Sequence, residues 1–217
     1  MEIQDDKIGI FQNYLSTLKK TSLDKGSGQK KYMTESEMPV VDFDKVKKAY
    51  VRELGVKPKS MPCSSDALHI GKDGNISFIE FKNGKINYMQ RYNIHQKIYD
   101  SLLIFGDMTG KGLSFCREHA DFILVYNEMK NREEEKEEGE KGETGEGEAG
   151  KGKSKGGEQR QIQESDSRVA IGKYFSRKGK KNFVRFDLEK FENFYFKNVF
   201  TFTEKEFEDE FVGGITI

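Results

Sequence analysis

The sequence predicts an α/β domain: a mixed central sheet flanked by helices, with a charged, glycine-rich insert. Three observations predict it. Apolar residues recur at spacings of three and four in several segments, the period of a helix with one buried face. Two apolar segments, Asp66–Gly71 and Ile76–Phe81, flank a short turn and read as a hairpin. The run Asp121-Phe-Ile-Leu-Val-Tyr126 is apolar almost throughout, as in a strand covered on both sides. The order is helices, hairpin, helix, strand and then mixed elements, which suits helices packed on a sheet.

At the amino-terminal end, Ile8, Phe11, Tyr14, Leu15 and Leu18 form an apolar stripe that predicts a first helix. A second helix comes after Pro39 and runs from about Phe43 to Leu54, with Val46, Tyr50 and Leu54 on one face and Gly55 as its stop. Lys72-Asp73-Gly74 suits a three-residue hairpin loop, because such loops end on a residue in the left-handed region. A third helix is expected from Ile94 to Phe105, with Asn93 as N-cap and Gly106 as its end. Later segments are shorter. Val169–Gly172, Phe183–Phe186 and Val199–Phe202 read as strands, Phe191, Phe194 and Tyr195 favour a helix, and Thr203-x-x-Glu206 reads as a capping box.

Charge is unevenly spread along the 217 residues. The 37 basic and 37 acidic side chains cancel, yet the 28 residues from Glu133 to Arg160 hold ten Glu, five Lys, one Arg and eight Gly. Such a tract cannot bury enough apolar surface to offset chain entropy, so residues 133–160 are expected to be disordered. An insert of this kind costs a fold little, since loop closure grows only logarithmically with length. Residues 1–132 and 161–217 are then expected to form a single domain of 189 residues with a formal charge of +4. That charge permits nucleic-acid binding without arguing for it. No run approaches the roughly 20 apolar residues of a membrane span. The start Met1-Glu-Ile-Gln-Asp-Asp lacks a secretory layout, and two cysteines, Cys63 and Cys116, make no disulfide framework. A cytoplasmic protein with no membrane partner is the expectation.

The hairpin carries the chemistry. If Gly71 faces Asn75, partners elsewhere sum to 146 and Asp66 lies opposite Glu80. Alternation then puts Asp66, Leu68, Ile70, Ile76, Phe78, Glu80 and Lys82 on one face, and Ala67, His69, Ser77, Ile79 and Phe81 on the other. Two carboxylates about 5 Å apart at the end of an apolar face repel unless a cation or a proton intervenes. A divalent ion with hard oxygen ligands would supply that cation, Mg²⁺ being the type. Lys82, on the same side, could then orient or help deprotonate an attacking water and stabilise charge developing on a phosphate.

Asp66, followed after a turn by Glu80-Phe81-Lys82 in an apolar strand, resembles the PD-(D/E)xK nuclease superfamily. The resemblance covers roughly residues 43–126 and implies a restriction-endonuclease-like fold. It implies that Asp66 and Glu80 bind Mg²⁺ or Mn²⁺, that the Phe81 carbonyl is an additional ligand, and that Lys82 is the catalytic lysine. The function it implies is a metal-dependent phosphodiesterase acting on nucleic acid, DNA in preference to RNA, with a homodimer as one arrangement for cutting two strands. Ser65 stands where a proline is common in that family. An acid from the first helix often joins such sites, and Glu35, Glu37 and Glu53 are open candidates. Gln96 and Tyr99 resemble a glutamine–tyrosine pair of one branch, at a different spacing. The alternative is a catalytically inactive protein of the same fold, serving binding or interaction in a defence or toxin system.

Other features carry less. Glu128-Met129-Lys130 repeats the acid-x-lysine pattern, but without an upstream acid on a paired strand. Gly106-Asp-Met-Thr-Gly-Lys-Gly112 has the wrong spacing for a phosphate loop and lacks its Ser or Thr. Cys116-x-x-His119 has no second half to complete a zinc site. His69 and His95 have no serine or cysteine partner suited to a nucleophilic triad. Arg177, Lys178, Lys180 and Lys181 form a basic turn that could contact a nucleic-acid backbone without reading bases.

Overall fold

The computed structural model describes residues 9–24, 26, 30–55, 57, 61–132 and 183–215. The chain divides into two units, Met1–Lys130 with Val184–Ile217, and Asn131–Phe183. The sheets and their helices all belong to the first unit. The segment 133–160, the expected strand Val169–Gly172 and the basic turn Arg177, Lys178, Lys180 and Lys181 lie outside the described residues.

Six strands form one sheet in the order β1 (Leu15–Thr17), β4 (Pro39–Asp42), β5 (Ala67–Ile70), β6 (Ile76–Lys82), β7 (Ala120–Tyr126) and β8 (Asn198–Thr203). Pairing is antiparallel from β1 to β6 and parallel from β6 to β8. A separate two-stranded ribbon pairs β2 (Leu23–Asp24) with β3 (Lys31–Tyr32). The helices are α1 (Leu18–Thr21), α2 (Phe43–Glu53), α3 (Tyr88–Thr109) and α4 (Leu113–His119), followed by a helical C-terminal stretch over residues 204–215. The sheet is mixed and flanked by helices, as the sequence predicts. Among the described residues, no helix is long and apolar enough to cross a membrane.

Each face of the sheet has its own core. Leu68, Ile70, Ile76 and Phe78 pack with Phe43 and Val46 of α2 and with Ile94, Ile98, Leu102 and Phe105 of α3. Ala67, Ile79, Phe81, Ile123 and Val125 form the second core with Leu18 and Phe207. The helix α2 matches its expected span, with Asp42 capping the Lys45 N–H at 3.0 Å. Thr203 and Glu206 form the expected capping box.

Four expectations are corrected. Residues 9–18 are not one helix: a 3₁₀ turn, Gly9–Tyr14, leads into β1, because Leu15–Thr17 find strand partners in Pro39–Val41. Tertiary pairing overrides the helical spacing there, although Phe11 and Leu18 remain buried. Helix α3 begins six residues earlier than expected, at Tyr88, and its N-cap is Asn87, whose side chain accepts from the Gln90 N–H at 3.0 Å. It also runs through Gly106 and ends at Gly110, which has φ +68°. A glycine inside a helix costs only about 1 kcal/mol, and a Cβ at Gly106 would lie 3.3 Å from the Lys111 carbonyl. Phe183–Phe186 is not a strand, since Phe186 and Asp187 reverse the chain at φ 63° and 57°. The helix expected around Phe191–Tyr195 is limited to the turn Glu189–Phe191, and Asn193 at φ 62° ends that local order.

The hairpin keeps the expected register: Ala67↔Ile79, Leu68↔Phe78, His69↔Ser77 and Ile70↔Ile76. Its turn is closed by the Gly71 N–H donating to the Asn75 carbonyl at 2.8 Å and by Asp73 accepting from the Asn75 N–H at 3.1 Å. Gly74 sits at φ +80° with open space where a side chain would begin. Replacing it therefore costs backbone strain alone. Gly74→Ala is expected to lower unfolding free energy by about 1–2 kcal/mol at an unchanged denaturant m-value, measured by chemical unfolding.

Candidate functional site

The cluster begins where the hairpin ladder stops. Asp66 lies just before β5, and its N–H donates to the Ile79 carbonyl at 3.0 Å. Its carbonyl accepts from the Phe43 N–H at 3.2 Å, tying it to the start of α2. Asp66 therefore does not extend the ladder opposite Glu80 as regular alternation would have it. Instead its carboxylate takes the next donor, the Phe81 N–H, on Oδ2 at 2.8 Å. That bond aims Oδ1 toward the face of β6 that carries Glu80.

Glu80 is fully buried. Such a carboxylate needs a counter-charge, because burial of an isolated ion costs several kcal/mol. Two ammoniums meet it. Lys97 Nζ of α3 lies 2.7 Å from Glu80 Oε1, 2.8 Å from Oε2 and 3.2 Å from Asp66 Oδ1. Lys82 Nζ, two residues along β6, lies 3.0 Å from Glu80 Oε1. Asp66, Glu80 and Lys82 thus converge as their positions in the sequence suggest, and a fourth group, Lys97, completes a cluster of two acids and two bases. About a fifth of each of the Asp66, Lys82 and Lys97 side chains is exposed, so the cluster opens to water on one side.

Lys97 reaches this point because α3 is pinned to the chain ahead of β5. The Ser101 hydroxyl, one turn further along the helix, accepts from the Ser65 N–H at 2.8 Å, and Asp100 accepts from the Cys63 N–H at 2.7 Å. Ile94 and Ile98 bury the neighbouring face of the helix. Lys97 stands at the border of that apolar stripe. In the sequence it reads as an ordinary solvated helix lysine, and the available signal was its place beside the buried stripe in a helix facing two unpaired acids.

The electrostatics follow from this arrangement. Burial, and then the adjacent Glu80 charge, raise the Asp66 carboxyl to about 7, against the opposing pull of Lys97, the Phe81 N–H and Lys82. For Lys97 burial disfavours the charge, but Glu80 and Asp66 outweigh it and hold the ammonium well above its ordinary value. From α2, Asp44 is also burdened by burial, yet hydrogen bonds from Lys47 and Ser64 keep it below the usual range, and the Lys97 charge adds to that effect. Its contacts are 2.7 Å to Lys47 Nζ and 2.6 Å to Ser64 Oγ. Asp44 is thus held by Lys47 and Ser64. Glu35 pairs with Lys19 at 2.7 Å, and Glu37 and Glu53 are exposed.

The remaining sequence candidates are dispersed. The Phe81 ring lies on the opposite face, edge-on to Phe207 at 5.7 Å. His69 lies on that face too, against Phe211, and burial keeps its pKa low. Tyr99 packs on Phe191 and Tyr195. Cys116 is buried, which pushes its thiol up to about 11, and His119 tilts over Phe115 at 4.9 Å. Lys130, of the rival acid-x-lysine pattern, lies 3.5 Å from the Asn83 carboxamide beyond β6. Among the described residues, no group of three or more His, Cys, Asp or Glu is placed to hold a metal ion.

No protein-family model, curated protein or solved structure matches the chain. The chemistry of the cluster therefore rests on its own geometry.

A carboxyl raised from 3.8 to about 7 has a signed consequence for stability. Between those values the folded chain keeps a proton on Asp66 that the unfolded chain has released. The contribution is fully present below about pH 4 and is lost as pH rises through 7, to a maximum of about 4 kcal/mol. Asp66→Asn cannot release that proton. The wild-type thermal midpoint is expected to fall more steeply than the variant's from pH 5 to pH 8, and parallel profiles would contradict the assignment.

Proposed function

We propose that the Asp66–Glu80–Lys82 cluster is the active site of a divalent-metal-dependent phosphodiesterase that hydrolyses nucleic acid, DNA in preference to RNA. One observation carries this reading. Three carboxylate oxygens from the two arms of a hairpin lie within 3.2 Å of a single cationic nitrogen, with a second ammonium beside them. That is a cation position built from hard oxygen donors, the kind Mg²⁺ and Mn²⁺ take. The order α2, hairpin β5–β6, α3 and parallel β7 also agrees with a restriction-endonuclease-like core. A buried ion cluster is a poor device for stability alone, since an apolar replacement of similar volume is often no less stable.

In this reading Asp66 and Glu80 would hold the ion, and the Phe81 carbonyl would be a further ligand. The ion would supply charge to the phosphate and the leaving oxygen and make a water more acidic. Lys82 orients the attacking water and neutralises the oxyanion as it develops. Arg177, Lys178, Lys180 and Lys181 would contact the backbone of the substrate, and two copies of the chain would address two strands.

A second reading is favoured by a specific feature: Lys97 already neutralises both carboxylates. A non-catalytic binding or interaction protein, of a defence or toxin system, would need no more than that.

The test is cleavage of supercoiled plasmid and of single-stranded DNA and RNA with Mg²⁺ or Mn²⁺, and with chelator. Metal-dependent cleavage is expected, and Lys82→Ala is expected to lower it by at least about 100-fold while the fold, followed by circular dichroism, is retained. No cleavage of either nucleic acid with either metal, or full activity in Lys82→Ala, would reject the nuclease reading.

A further inference from the structure

Lys97 stands where a divalent ion would have to stand. Its nitrogen is within 2.8 Å of both Glu80 oxygens and 3.2 Å from Asp66 Oδ1. Those are the two carboxylates that meet at the mouth of the hairpin. The formal charges of Asp66, Glu80, Lys82 and Lys97 sum to zero. A doubly charged ion entering this space beside both ammoniums would leave a net charge of +2 within a few ångströms, in surroundings that screen it poorly.

We propose that Lys97 is a built-in counter-ion of the site, which a divalent metal displaces when it binds between Asp66 and Glu80. This deepens the metal-site part of the proposed nuclease function and rests on it. Lys97 has the freedom the exchange requires. Its side chain is 22% exposed, whereas Glu80 is not exposed at all, so the ammonium can swing to water while the carboxylate stays. A lysine stem has four carbons and no fixed fork, which suits a cation that leaves. Without metal, Lys97 keeps two like charges from repelling and so holds the hairpin mouth in its metal-ready shape. It is a positioning residue, and it sets a threshold: metal binding has to outcompete an ammonium already in place.

The experiment compares the full-length wild type with Lys97→Met and Lys97→Gln at pH 8, using Mn²⁺ alone as the probe. Lys97→Gln retains donors for the carboxylates if the methionine variant folds poorly. Mn²⁺ affinity is read by calorimetry and the thermal midpoint is read in chelator and in millimolar Mn²⁺. Both variants are expected to melt lower than wild type in chelator, to recover in Mn²⁺, and to bind the ion at least about tenfold more tightly than wild type. Unchanged or weaker Mn²⁺ affinity in both variants overturns the proposal. So does a loss of midpoint that Mn²⁺ fails to restore, since that is the mark of a purely structural lysine. The two readings fail separately. Tighter Mn²⁺ binding with no cleavage of any nucleic acid rejects the nuclease and leaves the counter-ion standing, while a wild type that cleaves, with no affinity gain in the variants, rejects the counter-ion alone.

Discussion

A carboxylate with no exposure at the end of an apolar strand is sustainable only if a cation reaches it, and for Glu80 one of the two that do so comes from another element of the fold. The Lys97 ammonium joins α3 to the hairpin at the point where the ladder gives out. Removing one member of such a buried pair typically costs about 3–5 kcal/mol, most of it the penalty of the charge left behind. The placement of α3, the course of residues 63–66 and the orientation of Asp66 are thus mutually dependent. Ser101 holding the Ser65 N–H and Asp66 holding the Phe81 N–H are the two hydrogen bonds that keep Lys97 and the acids within reach.

The turn is the second constraint. With Gly74 in the left-handed region, Ile70 pairs with Ile76, and that single registration assigns every side chain of β6 to a face. A slip of one residue would carry Glu80 and Lys82 into the core that holds Ile79, Phe81 and Phe207, and would bring apolar rings to the mouth of the hairpin. The two cores are each dense with aromatic side chains, including the edge-on pairs Phe43–Phe78 and Phe81–Phe207. They discriminate strongly between the two registers, so the chemistry at the strand end is specified by packing in its middle.

Legibility varied with how local the cause was. The span of α2, the hairpin and its register, β7, β8 and the Thr203–Glu206 capping box could all be read from short-range patterns, because each is set by residues within a few positions of one another. The stretch 9–18 could not. Its three- and four-residue spacing is genuine, but β4 offers Leu15–Thr17 backbone partners, and a strand of three residues has no periodic signature of its own. Gly106 misled for the opposite reason: a glycine that permits close approach of the Lys111 carbonyl looks, in sequence, like one that ends a helix.

The site divides along the same line. The sequence by itself determined that Glu80 and Lys82 share one face of a hairpin strand and that Asp66 stands at the mouth of the same hairpin, since alternation along a strand and the geometry of a tight turn are local properties of the chain. Only the tertiary structure decided that a second ammonium, Lys97, joins them. Lys97 lies 31 residues from Asp66 on a helix, and no periodicity links a helix lysine to a strand carboxylate. Its arrival there is set by how α3 packs on the sheet, where the burial of Ile94 and Ile98 fixes the rotation of the helix and so the direction of its polar neighbours.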